Sequence, residues 1–547
     1  MATSELCFLS ATELAPLLQK REVSPIDVVE AHLSRIGELN EHLRHYITID
    51  AEGARQAARV AESEIASGAY RGPLHGVAVA YKDIYDVRGL RTTAHSHVLD
   101  GYVAPADGTA AARLRAAGAI CLGKLNTTEF ASGNMPIYGE ARNPWNTERT
   151  TGGSSSGSGG SLSARLVTLA MGSDTGGSVR QPAAFCGIVG LKPTYGRVSK
   201  AGIFPLSWSL DHAGPMGRTV ADVALMLGVI AGADPADPSS AKVPVPDYRD
   251  ALTGDVRGLR IGVPTSFYFD EAQTDPDVIR AVRAAIETLR GLGASVTDVD
   301  LPHSHLGPPA SWTIAYTEAF AYHRRNFFER PRDYGAQFLR KITSAACLTG
   351  EDAVTAHRVR TVITREFAEA LSRVDAIVTP TLAYGAHRIG TKPKQTDMRS
   401  LTRPVSLTGL PGLAVPCGFT GEGLPVSMQI VTRAFDEATG FRLAHAYEQA
   451  TAWHRRLPPL SSTDSETAGD SEIAGQRDSG TEGSASSARS ADEGWVLELA
   501  RLIGLTYVTD ADAKDVAAAL RPVQAGLMEA RRVLGDTEEL ATRPAIF

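Results

Sequence analysis

The apolar positions near the N-terminus follow the spacing of helices. Ser10 followed by Glu13 has the spacing of a capping box, and Ser24 followed by Pro25 is typical of a helix start. Further along, apolar residues recur every three or four positions and predict one buried helical stripe, formed by Val28, Val29, Leu33, Ile36 and Leu39.

From Leu74 onward, short apolar runs alternate with helical patterns. The run LHGVAVAYKDIYDV is rich in β-branched residues and bounded by Gly and charged residues, which is typical of a buried strand. LRIGVPTS and DAIVTPTL predict later strands, whereas TVADVALMLGVIAG, AVRAAIETLRGLG and VRTVITREFAEALSRV predict helices. The alternation predicts an α/β protein, with a largely buried central sheet that is covered by helices.

The composition changes abruptly at Ser461. Residues 461–493 are nearly all Ser, Thr, Gly, Ala, Asp and Glu, so they cannot bury enough apolar surface to offset their ordering entropy. WVLELARLIGL and DVAAALRPVQAGLMEARRVL follow and predict two short helices. We therefore expect a catalytic domain over 1–460, a flexible linker over 461–493 and a small helical C-terminal segment over 494–547.

Charge and cysteine content exclude several classes of function. The formal net charge is -7 and no run of Lys and Arg is present, so we expect no direct nucleic-acid partner. The five cysteines are widely spaced, with no C-x-x-C pair, which indicates a reducing compartment and no zinc site. The sequence shows neither a signal-peptide pattern nor an apolar stretch that would span a bilayer. We expect a cytoplasmic protein with no membrane partner.

The segment from Thr150 to Arg197 carries the candidate chemistry. It contains GGSSSGS at 152–158 and GSDTGGSVRQPA at 172–183, two glycine-rich turns on either side of an apolar stretch. Because a core element lies between them, we expect both turns to be part of the fold rather than linkers.

Two other motifs fit a catalytic pattern only in part. Gly153–Gly157 matches G-x-S-x-G with Ser155 at the centre, but the polar NPWNTERT before it does not predict the strand that a nucleophile elbow needs. Gly118–Lys124 matches part of a phosphate loop, but Leu125 replaces the Ser or Thr that would hold magnesium.

The two glycine-rich motifs resemble those of the amidase-signature family, G-G-S-S-(G/S)-G-S and G-(S/T)-D-(T/I)-G-G-S-(I/V)-R-x-P-A. The upstream GVAVAYKD places Lys82 where the family has its catalytic lysine. The resemblance extends over roughly residues 10–455. It implies the amidase-signature fold, a central mixed sheet covered on both faces by helices. It also implies a catalytic triad of Ser178, Ser154 and Lys82, a cis peptide bond between Gly153 and Ser154, and no metal or cofactor.

The implied apparatus agrees with the chemistry of amide hydrolysis. An amide carbonyl is a poor electrophile, so a covalent acyl-serine that divides the reaction into two steps is an advantage. Lys82 lies among apolar residues, and desolvation lowers the pKa of a lysine until its amine can act as a base. Ser154 would relay the proton between Lys82 and Ser178. The expected oxyanion hole consists of the backbone N–H groups of Thr175, Gly176, Gly177 and Ser178.

The motifs leave the substrate open. Within the family, the resemblance is strongest to small-molecule amidases and to the A subunit of glutamyl-tRNA amidotransferase. That A subunit releases ammonia from glutamine and needs a B subunit to bind tRNA. We expect an amidase that hydrolyses a carboxamide bond of a small molecule and releases ammonia or an amine. The alternatives are a glutaminase like that A subunit and a catalytically silent scaffold.

Arg360 and Trp312 are candidate substrate contacts. Arg360 corresponds by resemblance to the arginine with which the transferase A subunit binds a substrate carboxylate, although a solvated arginine on an amphipathic helix explains it equally well. Trp312 is expected in the same pocket, in place of a family tyrosine. The C-terminal segment resembles the small C subunit of the transferase, and a generic helical hairpin is nearly as good an account. Besides the substrate, the expected protein partner is either a second copy of this chain or a small partner subunit.

Overall fold

The computed structural model describes residues 3–391, 400–460, 493–502 and 508–535. Strands are numbered in chain order: β1 (Tyr46–Ile49), β2 (Ala78–Lys82), β3 (Ile120–Leu125), β4 (Arg142–Asn143), β5 (Asn146–Thr150), β6 (Leu169–Asp174), β7 (Val189–Lys192), β8 (His212–Gly217), β9 (Arg260–Pro264), β10 (Ser295–Val299), β11 (Ala376–Pro380), β12 (Gly412–Phe419) and β13 (Pro425–Val431).

The helices are numbered in the same way. They are α1 (Ala11–Gln19), α2 (Pro25–Leu43), α3 (Ala51–Ala66), α4 (Thr109–Ala116), α5 (Ser156–Ser163), α6 (Arg180–Cys186), α7 (Val220–Ile230), α8 (Pro276–Gly291), α9 (Gly307–Glu329), α10 (Ala336–Ala346), α11 (Gly350–Arg373), α12 (Arg403–Thr408), α13 (Glu437–Thr451), α14 (Glu493–Leu502) and α15 (Asp510–Gly535).

A mixed sheet of 11 strands, in the order β1-β3-β2-β6-β8-β7-β12-β13-β11-β9-β10, forms the centre of the described part of the chain. The pairs β2–β3, β2–β6, β9–β10 and β9–β11 are parallel, and the other neighbours are antiparallel. Helices flank this sheet, which confirms the predicted α/β class. Because β2 and β6 are parallel neighbours, their carboxyl ends meet at one edge of the sheet, where Lys82 and Asp174 end their strands.

The helix starts near the N-terminus form as their sequences predict. Ser10 and Glu13 make both halves of a capping box at the start of α1. Ser24 accepts a hydrogen bond from the Ile26 N–H (3.0 Å) and precedes Pro25, the first residue of α2. These local signals need no tertiary contact, since the capping atoms lie within three residues of each other.

The Gly/Ser run at 152–163 departs from the prediction of a turn. Only its first residues form a turn, and Ser156–Ser163 form the buried helix α5. A Cβ added at Gly157 would lie 2.4 Å from the His45 carbonyl oxygen, and one added at Gly160 would lie 2.3 Å from the His45 ring. Close packing that only small residues permit therefore overrides their poor intrinsic helix propensity.

The C-terminal helices pack on the main body. The predicted linker at 461–493 lies outside the described residues except for Glu493, which begins α14. α15 contacts α9, α10 and α11 as well as α14. Its ion pairs join Asp515 to Arg340 (2.7 Å) and Arg531 to Asp352 (2.7 Å). One face of α15 is buried, and it consists of Ala513, Val516, Ala517, Leu520, Val523, Leu527, Ala530 and Leu534.

A membrane-crossing helix would have to be both long and apolar, and no helix among the described residues meets both conditions.

We expect the C-terminal helices to stay bound without their covalent connection. Residues 1–460 and 493–547, co-expressed as two chains, should co-elute in gel filtration because α15 buries an apolar face. Leu520→Asp should release the fragment, since it buries an unpaired charge, whereas Lys514→Asp on the exposed face should not. Separate elution of the two unsubstituted pieces would contradict the prediction.

Candidate active site

Lys82 lies at the buried end of β2 and is fully enclosed by protein. Its ammonium nitrogen donates hydrogen bonds to the Ser154 hydroxyl (2.6 Å) and to the Ser173 hydroxyl (2.8 Å). Burial lowers the pKa of Lys82 to about 7, although the charges of Asp211 and Asp174 act in the opposite direction. The amine can therefore be neutral near physiological pH, in hydrogen-bond contact with a serine.

Ser154 lies in the turn that leads into α5. The Gly153–Ser154 peptide bond is cis, and the Gly153 N–H donates to the side-chain oxygen of Gln181 (3.1 Å). The neighbouring Ser155 N–H donates to the carbonyl oxygen of Ser178 (3.2 Å). This last bond joins the two glycine-rich segments directly through their backbones.

Ser178 is at the end of a tight turn between β6 and α6. Asp174 fixes this turn by accepting the N–H groups of Gly177 (2.7 Å) and Val179 (3.2 Å). Arg180 donates to both oxygens of Asp174, at 2.9 Å and 2.8 Å, and both side chains are completely buried. Burial alone would raise the pKa of Asp174, but the charge and hydrogen bonds of Arg180 hold it well below its usual value.

One backbone N–H group of the expected oxyanion hole already donates a hydrogen bond within the protein. The Gly177 N–H is bonded to Asp174, so it is not free to donate to a substrate oxygen. The N–H groups of Thr175, Gly176 and Ser178 have no acceptor within the described ranges and remain candidates. An aspartate shortly before a glycine is a known side-chain-to-backbone turn signal, and it could have predicted this bond from the sequence.

A cavity of about 450 Å³ brings the two serines together. Ser154 and Ser178 both line it, as do Thr175, Gly176 and Gly177. Lys82 lies behind Ser154, away from the cavity surface, and reaches it through the 2.6 Å hydrogen bond. A buried lysine amine is thus hydrogen-bonded to a serine at the wall of a cavity, and a second serine lies on the same wall.

The two candidate substrate contacts lie outside this wall. The Arg360 guanidinium donates to the carbonyl oxygens of Leu407 (2.7 Å) and Ser209 (3.4 Å) and is not among the residues that line the cavity. Trp312 is buried behind Tyr316, with ring centroids 4.6 Å apart, and Tyr316 is the one that faces the cavity. The structure thus does not bring Arg360 or Trp312 to the serines.

Arg403 also lines the cavity, although no sequence pattern predicts a role for it. A Cβ added at Gly176 would lie 3.3 Å from its guanidinium carbon, so the guanidinium lies against the turn that carries Ser178. Its side chain donates a hydrogen bond to the Ser311 hydroxyl (3.3 Å), and no carboxylate of the described residues is within ion-pair distance. No motif surrounds Arg403 in the sequence, so only its position in the fold reveals it.

Lys341 and Tyr316 also line the cavity, where both contact Ser132. The Lys341 ammonium donates to the carbonyl oxygen of Ser132 (2.7 Å), and the Tyr316 hydroxyl pairs with the Ser132 hydroxyl. Both residues are on helices that α15 contacts, α9 for Tyr316 and α10 for Lys341. α15 therefore packs on the two helices that carry these cavity residues.

Comparison with known proteins identifies relatives over most of the chain. The A subunit of glutamyl-tRNA(Gln) amidotransferase from Geobacter metallireducens is 44% identical over 481 residues, which cover 82% of this chain and 99% of the relative. Among solved structures, the corresponding A subunit from Thermotoga maritima superposes with a TM-score of 0.69 at 32% identity and covers 84% of this chain and 97% of its own. The native peptide amidase from Stenotrophomonas maltophilia gives 0.73 at 32% identity, with coverage of 82% and 98%.

These relatives correct one expectation. We expected a small-molecule amidase, but relatives at 43–44% identity are amidotransferase A subunits. The main interpretation was therefore wrong, and the alternative agrees better with the relatives. The motifs could not separate the two because they describe the shared amide chemistry and not the substrate.

The Amidase family model matches residues 27–440, which include both glycine-rich turns, Lys82 and Arg403. This chain belongs to the amidase family of enzymes that act on amides.

Proposed function

We propose that this chain hydrolyses the side-chain amide of glutamine, as the A-type subunit of a glutamyl-tRNA amidotransferase. The observation that carries the chemistry is the 2.6 Å hydrogen bond from a buried lysine amine to Ser154, on the wall of the cavity that Ser178 also lines. The choice of glutamine rests on the relatives that are amidotransferase A subunits.

Each step of the reaction has a residue of this site to perform it. Ser178 attacks the amide carbonyl while its proton passes to Ser154 and from Ser154 to the neutral amine of Lys82. The N–H groups of Gly176 and Ser178 stabilise the negative charge that develops on the carbonyl oxygen. Return of the proton to the leaving nitrogen releases ammonia and leaves an acyl-serine. Water then hydrolyses this ester by the same proton path.

Arg403 supplies the contact that distinguishes glutamine from a simple amide. Its guanidinium lies against Gly176, has no carboxylate partner among the described residues and faces the cavity. Arginine binds carboxylates through paired hydrogen bonds. In this proposal Arg403 binds the α-carboxylate of glutamine while the side-chain amide reaches Ser178.

The proposal also assigns roles to the rest of the assembly. A B-type partner would bind the tRNA, which agrees with the negative net charge of this chain. We propose residues 1–460 as the catalytic domain and residues 494–547 as a built-in counterpart of the small partner subunit. Support for the latter is the packing of α15 on α9 and α10, behind the cavity wall.

The function is tested by measuring ammonia release from glutamine, with and without added B-type partner. Wild-type protein should release ammonia, and Ser178→Ala should lower the rate by at least about 1,000-fold, since no acyl-serine can form. Circular dichroism and thermal melting should show that the variant stays folded. Turnover by Ser178→Ala at the wild-type rate would exclude Ser178 as the nucleophile. If the wild-type protein released no ammonia from glutamine, either alone or with the B-type partner, the proposed function would be contradicted.

The pKa of Lys82 predicts how activity depends on pH. The neutral amine is the active form, so kcat/KM for glutamine should rise through an apparent pKa of about 7 and then level off. Lys82→Arg should abolish this rise of kcat/KM with pH and most of the activity, because a guanidinium cannot accept a proton near neutrality. Lys341→Arg, at another lysine of the same cavity, should show the same rise of kcat/KM with pH as the wild type. A full rate and an unchanged profile in Lys82→Arg would exclude the lysine as the base.

The role of Arg403 predicts a change in substrate selectivity. Arg403→Gln should raise KM for glutamine about 10- to 100-fold, since a charge-assisted hydrogen bond contributes about 1.5–3 kcal/mol. Hydrolysis of butyramide, which lacks the carboxylate, should be unchanged by this substitution. Steady-state kinetics of both substrates provide the test. A larger rise in KM from Arg360→Gln than from Arg403→Gln would transfer the carboxylate contact to Arg360.

A further inference from the structure

A second cavity, of about 540 Å³, lies at the opposite end of α5 from Ser154. Its volume is within the range of about 300–1,000 Å³ that is common for small-molecule sites. The eight residues of α5 separate the two ends by roughly 12 Å. Charged and imidazole side chains line this cavity, which we call the arginine cavity, among them Arg165, Arg218, His445, Glu448, His454 and Arg455.

Arg165 is held in this cavity against its backbone preference. It follows the C-terminal end of α5 with a φ of 64°, a left-handed conformation in which glycine is usual. Only 5% of the residue is exposed, and one terminal nitrogen donates to the carbonyl oxygens of Leu162 (3.2 Å) and Ser163 (2.8 Å). Its Nε is buried without any hydrogen-bond partner. An arginine at such a position is costly, which indicates a use for its remaining donors.

Arg218 is the second buried guanidinium of the cavity, with 4% exposure. Its two terminal nitrogens donate to the carbonyl oxygens of Val167 (3.2 Å) and Leu9. Across the described ranges, neither Arg165 nor Arg218 has a carboxylate within ion-pair distance. Neither guanidinium therefore has an ion pair at close range among the described residues, although the carboxylates of Asp222 and Glu13 attract Arg218 from farther away.

The carboxylates that line the arginine cavity offset this charge only in part. Burial raises the pKa of Glu448 to about 8, so it is largely protonated at pH 7. Burial acts to raise the pKa of Glu13, but its hydrogen bonds from Ser10 (2.8 Å) and the charge of Arg218 lower it, so Glu13 is ionised and offsets part of the positive charge. The Nδ1 atoms of His445 and His454 are buried and make no hydrogen bond within the described part of the chain. His445 Nδ1 lies 3.9 Å from the Glu448 carboxyl, which leaves His454 Nδ1 as a polar group that a ligand could satisfy.

We propose that the arginine cavity binds a compact phosphate group, either free phosphate or the phosphate of a small monoester. Arginine pairs with phosphate through parallel hydrogen bonds, and the doubly negative charge of phosphate near neutrality matches two unpaired guanidinium groups. The cavity is larger than a phosphate ion, so there is room for the remainder of a small phosphomonoester.

The position of the site predicts an effect on stability. Arg165 follows the end of α5, and Arg218 contacts Val167 just before β6 begins. α5 leads back to Ser154, and β6 leads to the turn that carries Ser178. A ligand that binds both arginines should stabilise the packing of α5 against β6 and raise the melting temperature of the protein.

Isothermal titration of the full chain with inorganic phosphate and with glycerol phosphate, at constant ionic strength set by sodium chloride, tests the proposal. Saturable 1:1 binding is expected, with a parallel rise in melting temperature. The double variant His454→Gln, Arg455→Gln, at the less buried side of the cavity, should weaken binding at least tenfold. Arg456→Gln is the matched control, since its guanidinium lies over the Phe419 ring and not in the cavity. Arg403→Gln, in the active-site cavity, should also leave phosphate binding unchanged.

The outcomes separate the alternatives. Glycerol phosphate that binds at least tenfold more tightly than phosphate indicates a monoester as the ligand, and equal affinity indicates free phosphate. Absence of saturable binding by both, equal binding of succinate, or loss of binding in Arg403→Gln would overturn the proposal. If the Arg165→Gln variant folds, it should not bind phosphate. If it does not fold, the double variant His454→Gln, Arg455→Gln tests whether phosphate binds in the arginine cavity.

Discussion

The buried ion pair of Asp174 and Arg180 organises the whole site. Asp174 accepts backbone N–H groups of the turn that ends in Ser178, while Arg180 also donates to Gln429 on β13 (2.6 Å) and to Ser406 on α12 (2.8 Å). The pair thus joins the turn of the candidate nucleophile to the sheet and to the helix that begins with Arg403. Because both groups are fully buried, loss of either would leave an uncompensated charge, at a cost of about 3–5 kcal/mol.

The reactivity of the site depends on burial as much as on the residues themselves. Lys82 is at the edge where parallel β2 and β6 end, and its neighbours on the sheet exclude water from the amine. Ser154 and Ser173 hold the amine through hydrogen bonds without adding a compensating negative charge. A lysine at the surface would stay protonated, whereas burial lowers the pKa of this amine, as the proposed role of Lys82 as a base requires.

Substrate selection and chemistry are supported by different parts of the molecule. The serines and the lysine are held by the sheet and by α5, whereas Arg403, Tyr316 and Lys341 come from α12, α9 and α10. α15 packs on the last two of these helices. In the proposed mechanism the substrate side of the cavity can therefore differ while the proton path stays the same, which agrees with relatives named as a peptide amidase and as part of an amidotransferase.

The sequence by itself determined the α/β class, the capping box at Ser10 and the two glycine-rich segments, because periodicity, capping and turn chemistry depend on near neighbours in the chain. It could not determine that Ser156–Ser163 form a helix, since that depends on the close approach of His45 from a distant segment. It also could not place Arg403 in the cavity, remove Arg360 from it, or show that Asp174 occupies the Gly177 N–H. Those outcomes depend on which distant groups meet in the folded chain, and only the tertiary structure decides that.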